Sequence, residues 1–350
     1  MRPQLSPHSR LGEPTTGYVW WPPIVGPVTS SADALAAAPV LAQVDRNGFV
    51  ESVHHGVAVI TGPDGSVEFA AGDASAPCFP RSSNKPIQAL AMLRAGLTLG
   101  DPRLLALASA SHSGEDFHLA GVLEILSGAG LSETDLQNTP DLPYDEQARR
   151  EWLRGGRDAT SLAQNCSGKH AAMLATCVAA GWDTRTYRDP EHPLQQLMAQ
   201  TLADLAGEPV AATGIDGCGA PVMAISPGGL ARAFGRIAGA ADGTDEARVR
   251  DAIRERPEYL GGTRRDVTAL IRGVDGLIAK DGAEAVYAVG LADGRGLAVK
   301  IADGSQRARP VVMAALLRRA GIDGDAVDAL AHSEILGHGA PVGAVRAIGI

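Results

Sequence analysis

Short apolar runs broken by Gly- and Pro-bearing turns occupy both ends of this chain, whereas the middle carries the i, i+3, i+4 recurrence of amphipathic helices. Ser52 to Thr61 and Val67 to Ala71 flank Gly62-Pro63-Asp64-Gly65, a sequence suited to a tight reversal, and together they predict a β-hairpin. From about Ser82 to Arg319 helical signals dominate. Helices are expected over Pro86 to Leu93, Asp116 to Leu126, Lys169 to Ala180 and Pro193 to Leu205, then over Pro227 to Ile237 and Arg265 to Ile271. A second hairpin follows, Ala283 to Leu291 with Gly296 to Ile301 across Ala292-Asp293-Gly294-Arg295, and then a helix at Pro310 to Arg319 and a last apolar segment at Pro341 to Ile350.

Hairpins near both termini with helices between them predict an α/β (α+β) fold. Its antiparallel sheet is built from N- and C-terminal strands and packed with helices, and a helical subdomain forms the far wall of a cleft. At 350 residues and 45% hydrophobic content the chain can bury a large core. The net charge of −9, with no Lys/Arg-rich run, argues against a nucleic acid or an anionic membrane as partner and for a small molecule. No apolar stretch is long enough for a transmembrane helix. Residues 1–43 are read as a disordered or extra N-terminal tail, because their apolar part carries Pro22, Pro23 and Pro27 and lacks the helical core of a signal peptide. Cys78, Cys166, Cys177 and Cys218 do not form a disulfide framework, which fits a reducing cytoplasm.

Composition changes the picture most at lysine: four lysines stand beside 27 arginines. An ε-amine can give up its proton and a guanidinium cannot, so a chain this poor in lysine is expected to keep it where arginine would fail. Three of the four lie in Ser- or Gly-bearing motifs: Ser82-Ser83-Asn84-Lys85, Cys166-Ser167-Gly168-Lys169 and Lys280-Asp281-Gly282; Lys300 has no motif around it. Ser82 and Lys85 stand at i and i+3 ahead of an apolar helix, the spacing of Ser-Lys nucleophilic catalysis, with Pro86 tolerable in a first turn. An ordinary N-cap serine with an exposed lysine gives the same pattern. A lysine acting as base near neutral pH needs its pKa lowered by roughly 3 units, about 4 to 5 kcal/mol of destabilisation of the ammonium, which burial and a second cation can supply.

Two more motifs strengthen the chemical reading. In Ala110-Ser111-His112-Ser113-Gly114-Glu115, Ser113 is placed to cap the helix that follows, but Ser111 and His112 have no such explanation. Lys280 ends the apolar segment from Gly276 and is expected just before a strand; as a bland alternative it is an edge lysine. The order S-x-x-K, S-x-S, K-x-G follows the penicillin-recognising enzymes. Asn165-Cys166-Ser167-Gly168-Lys169-His170 opens a helix, and Gly214-Ile215-Asp216-Gly217-Cys218 is a Gly-rich turn. Two thiolates and an amine could hold zinc with the fourth position open, or Cys166 and Cys218 are simply buried and reduced. Asp216 either binds a substrate ammonium or caps its own turn.

Taken together, Arg81-Ser82-x-x-Lys85-Pro86, Ala110-Ser111-His112-Ser113, Asn165-Cys166-Ser167-Gly168-Lys169-His170, Asp216-Gly217-Cys218 and Lys280-x-Gly282 resemble the rhizobial-type L-asparaginases, the asparaginase II family, from about Val44 onward. The resemblance implies one asparaginase domain over residues 44–350 with a serine β-lactamase-like fold related to the glutaminases. It also implies homodimers and hydrolysis of L-asparagine to L-aspartate and ammonia. The catalytic residues would be two Ser-Lys pairs, Ser82 with Lys85 and Ser111 with Lys280, and the Zn2+ ligands would be Cys166, Lys169 and Cys218. Arg81, Asp216 and His112 are the candidate substrate-binding residues; Arg81 either pairs with the α-carboxylate or forms a structural salt bridge. Which serine attacks is open. The alternatives are a glutaminase, a β-lactam or peptide hydrolase with the same Ser-Lys core, or a non-catalytic zinc-dependent amino acid sensor.

Overall fold

The computed structural model describes residues 29–350. The expected tail lies before Thr29 outside the described residues, and after it in structured chain: α1 covers Thr29–Ala36 and the first strand, β1, covers Val40–Arg46. The sheet therefore begins ahead of position 44. The further strands are β2 (Phe49–Thr61), β3 (Val67–Ala71), β4 (Ala212–Ile215), β5 (Pro221–Ala224), β6 (Ile278–Gly282), β7 (Val286–Gly290), β8 (Gly296–Ile301), β9 (Glu334–Gly337) and β10 (Ala340–Ala347). The further helices are α2 (Lys85–Arg94), α3 (Pro102–Ala108), α4 (Asp116–Gly128), α5 (Glu146–Arg154), α6 (Ser167–Ala180) and α7 (Pro193–Ala206). They continue with α8 (Pro227–Ala238), α9 (Asp245–Glu255), α10 (Pro257–Leu260), α11 (Asp266–Gly273), α12 (Ala308–Arg319) and α13 (Asp325–Leu330).

Both predicted hairpins are present, and the two ends of the chain build one eight-stranded sheet in the order β6-β7-β8-β2-β1-β10-β9, with β3 paired to β2. The long β2 is its spine. Residues 49–55 pair with β1, and residues 56–61 pair antiparallel with β8, so Gly56 lies opposite Ile301 and Thr61 opposite Gly296. The runs in β6, β7 and β8 are buried at every position: α8 covers β7 and β8, and β6, at the sheet's edge, is covered by α11 and the 3₁₀ turn before α2. Lys280 therefore sits inside a strand rather than before one.

Helix α8 lies on β7 and β8, and the close approach depends on missing side chains. A Cβ at Gly296 would run into the Ala231 carbonyl, and one at Gly290 into the Phe234 carbonyl. The middle of the chain forms the helical layer: α2 packs on α6, α7 and α9, α3 on α6 and α9, and α4 on α6. Its apolar faces run into the sheet's as one core from Leu41 to Val345. The short hairpin β4-β5 forms a separate two-stranded sheet whose connection carries Asp216 and Cys218. What positions the site is a single junction: β6 packs against the 3₁₀ turn Arg81–Asn84 at the head of α2.

Candidate active site

Ser82 stands on that 3₁₀ turn, and Lys85 is the first residue of α2 with Pro86 behind it, as the spacing suggested. The turn is strained. Arg81 has φ +52, a left-handed conformation that costs a non-glycine residue on the order of 1 to 3 kcal/mol and persists only where surroundings enforce it. Asp216 supplies one such restraint: Arg81 Nε and Nη2 both donate to its Oδ1, at 2.9 and 2.7 Å. Gly282 supplies another, because β6 passes so close that a Cβ there would lie 2.7 Å from the Pro80 carbonyl and 3.1 Å from the Ser83 amide. The K-x-G glycine thus allows the lysine-bearing strand to press on the serine-bearing turn.

Ser111 reaches the same place from the segment after α3. Its amide donates to Leu260 O at 3.1 Å, and Lys85 Nζ donates to Ser111 Oγ at 3.0 Å, to Ala110 O at 2.6 Å and to Cys166 Sγ at 3.1 Å. The amine of the S-x-x-K motif is therefore on the second serine, not on Ser82. Nor is Lys280 on Ser111: fully buried, it donates to the Asp281 carbonyl at 2.6 Å and to Asp281 Oδ1 at 2.8 Å. Burial lowers the Lys280 pKa to about 8; Asp281 works against this, while Lys85 and Arg265 reinforce it. Burial also opposes the Asp281 carboxylate, but Arg265, Lys280 and Arg309 outweigh it and hold that group well below the usual carboxylate range.

Ser82 and Ser111 line one cavity of about 60 Å3, together with Tyr144, Asn165, Arg265, Asp281 and Gln306. Of these seven only the two serines were candidates from sequence. Asn165 and Asp281 lay within quoted motifs, next to residues that drew the attention. Arg265 looked like an ordinary helix start, and Tyr144 and Gln306 sit in connecting segments with no pattern around them.

The three expected zinc ligands also come together. Lys169, in the first turn of α6, donates to Cys218 Sγ at 3.3 Å, and Cys166, the N-cap residue of α6, is the neighbour that shifts Cys218 most. Cys218, with Lys85 and Lys169, pulls the Cys166 thiol well below its usual range against burial, while Cys166 and burial push Cys218 well above. Burial opposes the Lys169 ammonium, but Cys218, Cys166 and Asp216 outweigh it and raise its pKa. Gly168 lets this helix start dock: a Cβ there would lie 2.5 Å from the Leu107 carbonyl. Among the described residues there is no group of three or more His, Cys, Asp and Glu that could hold a metal, so a third protein ligand here has to be Lys169.

Two assignments change. His112, expected at the substrate, is fully buried and braces the fold: its Nε2 meets Ser167 Oγ at 2.8 Å and its Nδ1 accepts from the Gly114 amide at 3.1 Å. Burial keeps it neutral, with His118 and Lys85 adding to the effect. Ser113 does not cap α4; it donates to Gly261 O at 2.9 Å, and the cap is Glu115, whose amide donates to His118 Nδ1. Arg81 and Asp216 spend their charges on each other, and Asp216 Oδ1 also accepts from the Gly217 amide at 2.8 Å within its own turn. For this pair the structural alternatives left open by the sequence are the ones seen.

The family described as L-asparaginase II matches residues 42–347. No curated protein matches the chain. Among solved structures it is similar to Mglu in its native form in 4.3 M NaCl, at 13% identity and TM-score 0.43, over 85% of this chain and 69% of that one. It is also similar to EstCE1, a hydrolase with promiscuous acyltransferase activity, at 12% identity and TM-score 0.39, over 87% and 97% of the two chains. A third is the covalent complex of the Bacillus subtilis glutaminase YbgJ with 5-oxo-L-norleucine, at 13% identity and TM-score 0.37, over 85% and 96%. No described helix is long and apolar enough to cross a membrane.

Proposed function

The chain belongs to the L-asparaginase II family, and from that premise we propose that this amidohydrolase is an L-asparaginase, hydrolysing L-asparagine to L-aspartate and ammonia through a serine ester. The observation that carries the reading is the meeting of Ser82 and Ser111 in one small cavity with Lys85 Nζ 3.0 Å from Ser111 Oγ.

Ser82 is the nucleophile. It stands on the strained turn at the head of α2, where the positive end of the helix dipole favours a developing alkoxide. Its Oγ–H proton passes to Lys85 by way of Ser111 Oγ, the hydroxyl that Lys85 touches, as the Oγ–C bond to the side-chain carbonyl forms. Backbone N–H groups of the turn stabilise the oxyanion. The C–N bond then breaks, the same proton goes to the departing nitrogen, and ammonia leaves a β-aspartyl ester on Ser82. Water attacks this ester, Lys85 takes up one of its protons through Ser111, and the proton returns to Ser82 Oγ as L-aspartate leaves. Lys280, with a pKa near 8, supports this transfer beside the serines and does not replace Lys85.

Cys166, Cys218 and Lys169 fit a zinc site: two neighbouring buried sulfurs and an amine converge in one corner. Zinc held there would supply a fixed positive charge that orients the substrate. Four free cysteines, three of them buried, support a reducing cytoplasm, and a homodimer completes the proposal; sizing by light scattering tests the latter.

Ammonia release from L-asparagine and L-glutamine by purified protein tests the function, with Ser82→Ala and Ser111→Ala as controls. Serine-dependent release from asparagine is expected, and glutamine should be slower, since its extra methylene must enter a small cavity. Release at the wild-type rate by Ser82→Ala would remove Ser82 as nucleophile, and release from neither amide would remove the reading itself.

A further inference from the structure

If the protein is an L-asparaginase, some group must recognise the part of asparagine that distinguishes a free amino acid from an amide within a peptide. Arg81, the candidate from sequence, is unsuited to that role because its Nε and Nη2 are both on Asp216. Arg265 is placed differently. It precedes α11 and borders the cavity together with both serines. Its guanidinium lies over the Tyr144 ring, 4.6 Å from the centroid, its Nη2 is on Asp281 Oδ2, and its Nη1 is only distantly engaged, 3.5 Å from the Ser111 carbonyl.

The charge around it is unbalanced. Asp281 is shared by Lys280, Arg265 and Arg309, and the one further carboxylate in the cluster, Asp266, is taken by Arg309 at 2.7 Å. Three cations thus face two carboxylates, in side chains of which only Asp266 is more than 14% exposed. A buried excess of positive charge that borders a cavity attracts an anion, and a guanidinium is shaped to take a carboxylate.

We propose that Arg265 binds the α-carboxylate of the substrate, and that the enzyme therefore acts on free amino acid amides and rejects the same amide when its α-carboxylate is blocked. The proposal rests on the L-asparaginase reading. Tyr144 holds the plane of the guanidinium, and Asp281 fixes one edge so that the other is presented to the ligand. The carboxylate completes the cluster's charge balance.

The experiment compares L-asparagine with L-asparagine α-amide, in which a carboxamide replaces the α-carboxylate, on wild-type protein and on Arg265→Gln and Arg265→Lys. Wild type is expected to prefer asparagine by at least about tenfold in kcat/KM. Arg265→Gln is expected to raise KM for asparagine about 10- to 100-fold, with kcat changed less than about threefold, and to abolish the preference. Because Arg265 also holds Asp281, Arg265→Lys keeps a cation in the cluster while losing the fork, and an intermediate KM is expected from it. Folded variants that keep both the wild-type KM and the preference overturn the proposal. If wild type releases ammonia from neither asparagine nor glutamine, the function fails first, and calorimetric titration with L-aspartate then decides. Binding to wild type that weakens about tenfold in Arg265→Lys supports the carboxylate site; no binding, or equal binding to both proteins, overturns it.

Discussion

Lys169 and Lys280 are the same residue at the same depth, and the two regions that hold them give opposite results. Both amines are buried, at 2% and 0% exposure, and burial by itself lowers the pKa of each. At the head of α6, two sulfurs and Asp216 overcome burial and hold the Lys169 pKa above its ordinary value. On β6, Lys280 has a single carboxylate, Asp281, which is shared with two arginines, and Lys85 and Arg265 add repulsion; its pKa falls to about 8. The sign of the neighbours decides: with no metal bound it keeps the proton on Lys169, and it lets Lys280 exchange one near neutral pH.

The strongest way to break this comparison is to replace both lysines with arginine. Lys280→Arg keeps the cation and removes the exchangeable proton that supports the transfer through Lys85 and Ser111, so asparagine hydrolysis is expected to fall about 100- to 1,000-fold with the protein still folded. Cys218→Ser and Lys169→Arg should instead lose zinc, read by metal analysis of protein purified with zinc present, because arginine is no ligand and Cys218 links both other donors. Full zinc content in both would remove the assigned ligand set.

Next in size is Gly282→Ala. The added methyl would press on the Pro80 carbonyl and the Ser83 amide, backbone atoms that can yield only by moving the Ser82 turn. Displacing a nucleophile by a fraction of an ångström is expected to cost about 100-fold in kcat, and the strain about 1 to 3 kcal/mol of stability. Wild-type kcat in Gly282→Ala would mean that the contact between β6 and the turn does not aim Ser82.

A smaller effect sharpens the electrostatic half of the comparison. Asp281 is what holds the Lys280 pKa up against burial, Lys85 and Arg265, so Asp281→Asn should lower it further. The limb of the kcat/KM profile near pH 8 should then move about one unit to lower pH, measured from pH 6 to 10. The same depression has a sign in stability. Between pH 8 and the unfolded lysine value of 10.5, the unfolded chain binds a proton that the folded one has lost, so this group's contribution to stability rises with pH in that window. The stability of wild type relative to Lys280→Met, from urea unfolding at pH 8 and pH 10, should increase accordingly; a decrease would mean that the folded-state pKa is raised.

The sheet was legible because period-two runs and Pro-Gly turns are local signals; both hairpins came from them, and the S-x-x-K helix start came from spacing alone. Strands β4 and β5, four residues each, are too short to show a period. The partner of Lys85 was not legible, because a four-carbon stem can reach either serine and only the docking of the Ala110–Ser111 segment selects one. Arg265 was invisible for a related reason: its position before α11 is common to many helix starts, and its setting comes from Tyr144 and Asp281, neither of which is a neighbour along the chain. Motifs announced the two serines and Lys85 that meet in the structure, whereas Arg265, Tyr144 and Gln306, which line the cavity beside the serines, gave no local pattern.

The smallest expected effect belongs to Lys300, the lysine without a motif. It too is buried, at 8%, and burial lowers its pKa, so burial and a depressed pKa do not by themselves mark the chemistry. What Lys300 lacks is a hydroxyl, a carboxylate or a metal-binding set in contact with it: its Nζ donates to the Glu284 carbonyl at 2.5 Å and ties β8 to the turn before β7. Lys300→Met keeps the stem and gives up that bond. It is expected to cost about 0.5 to 1.5 kcal/mol in urea unfolding and to leave kcat within about twofold. A loss of kcat as deep as that of Lys280→Arg, in a variant that is still folded, would show that scarcity of lysine rather than its partners identifies the working amines in this chain.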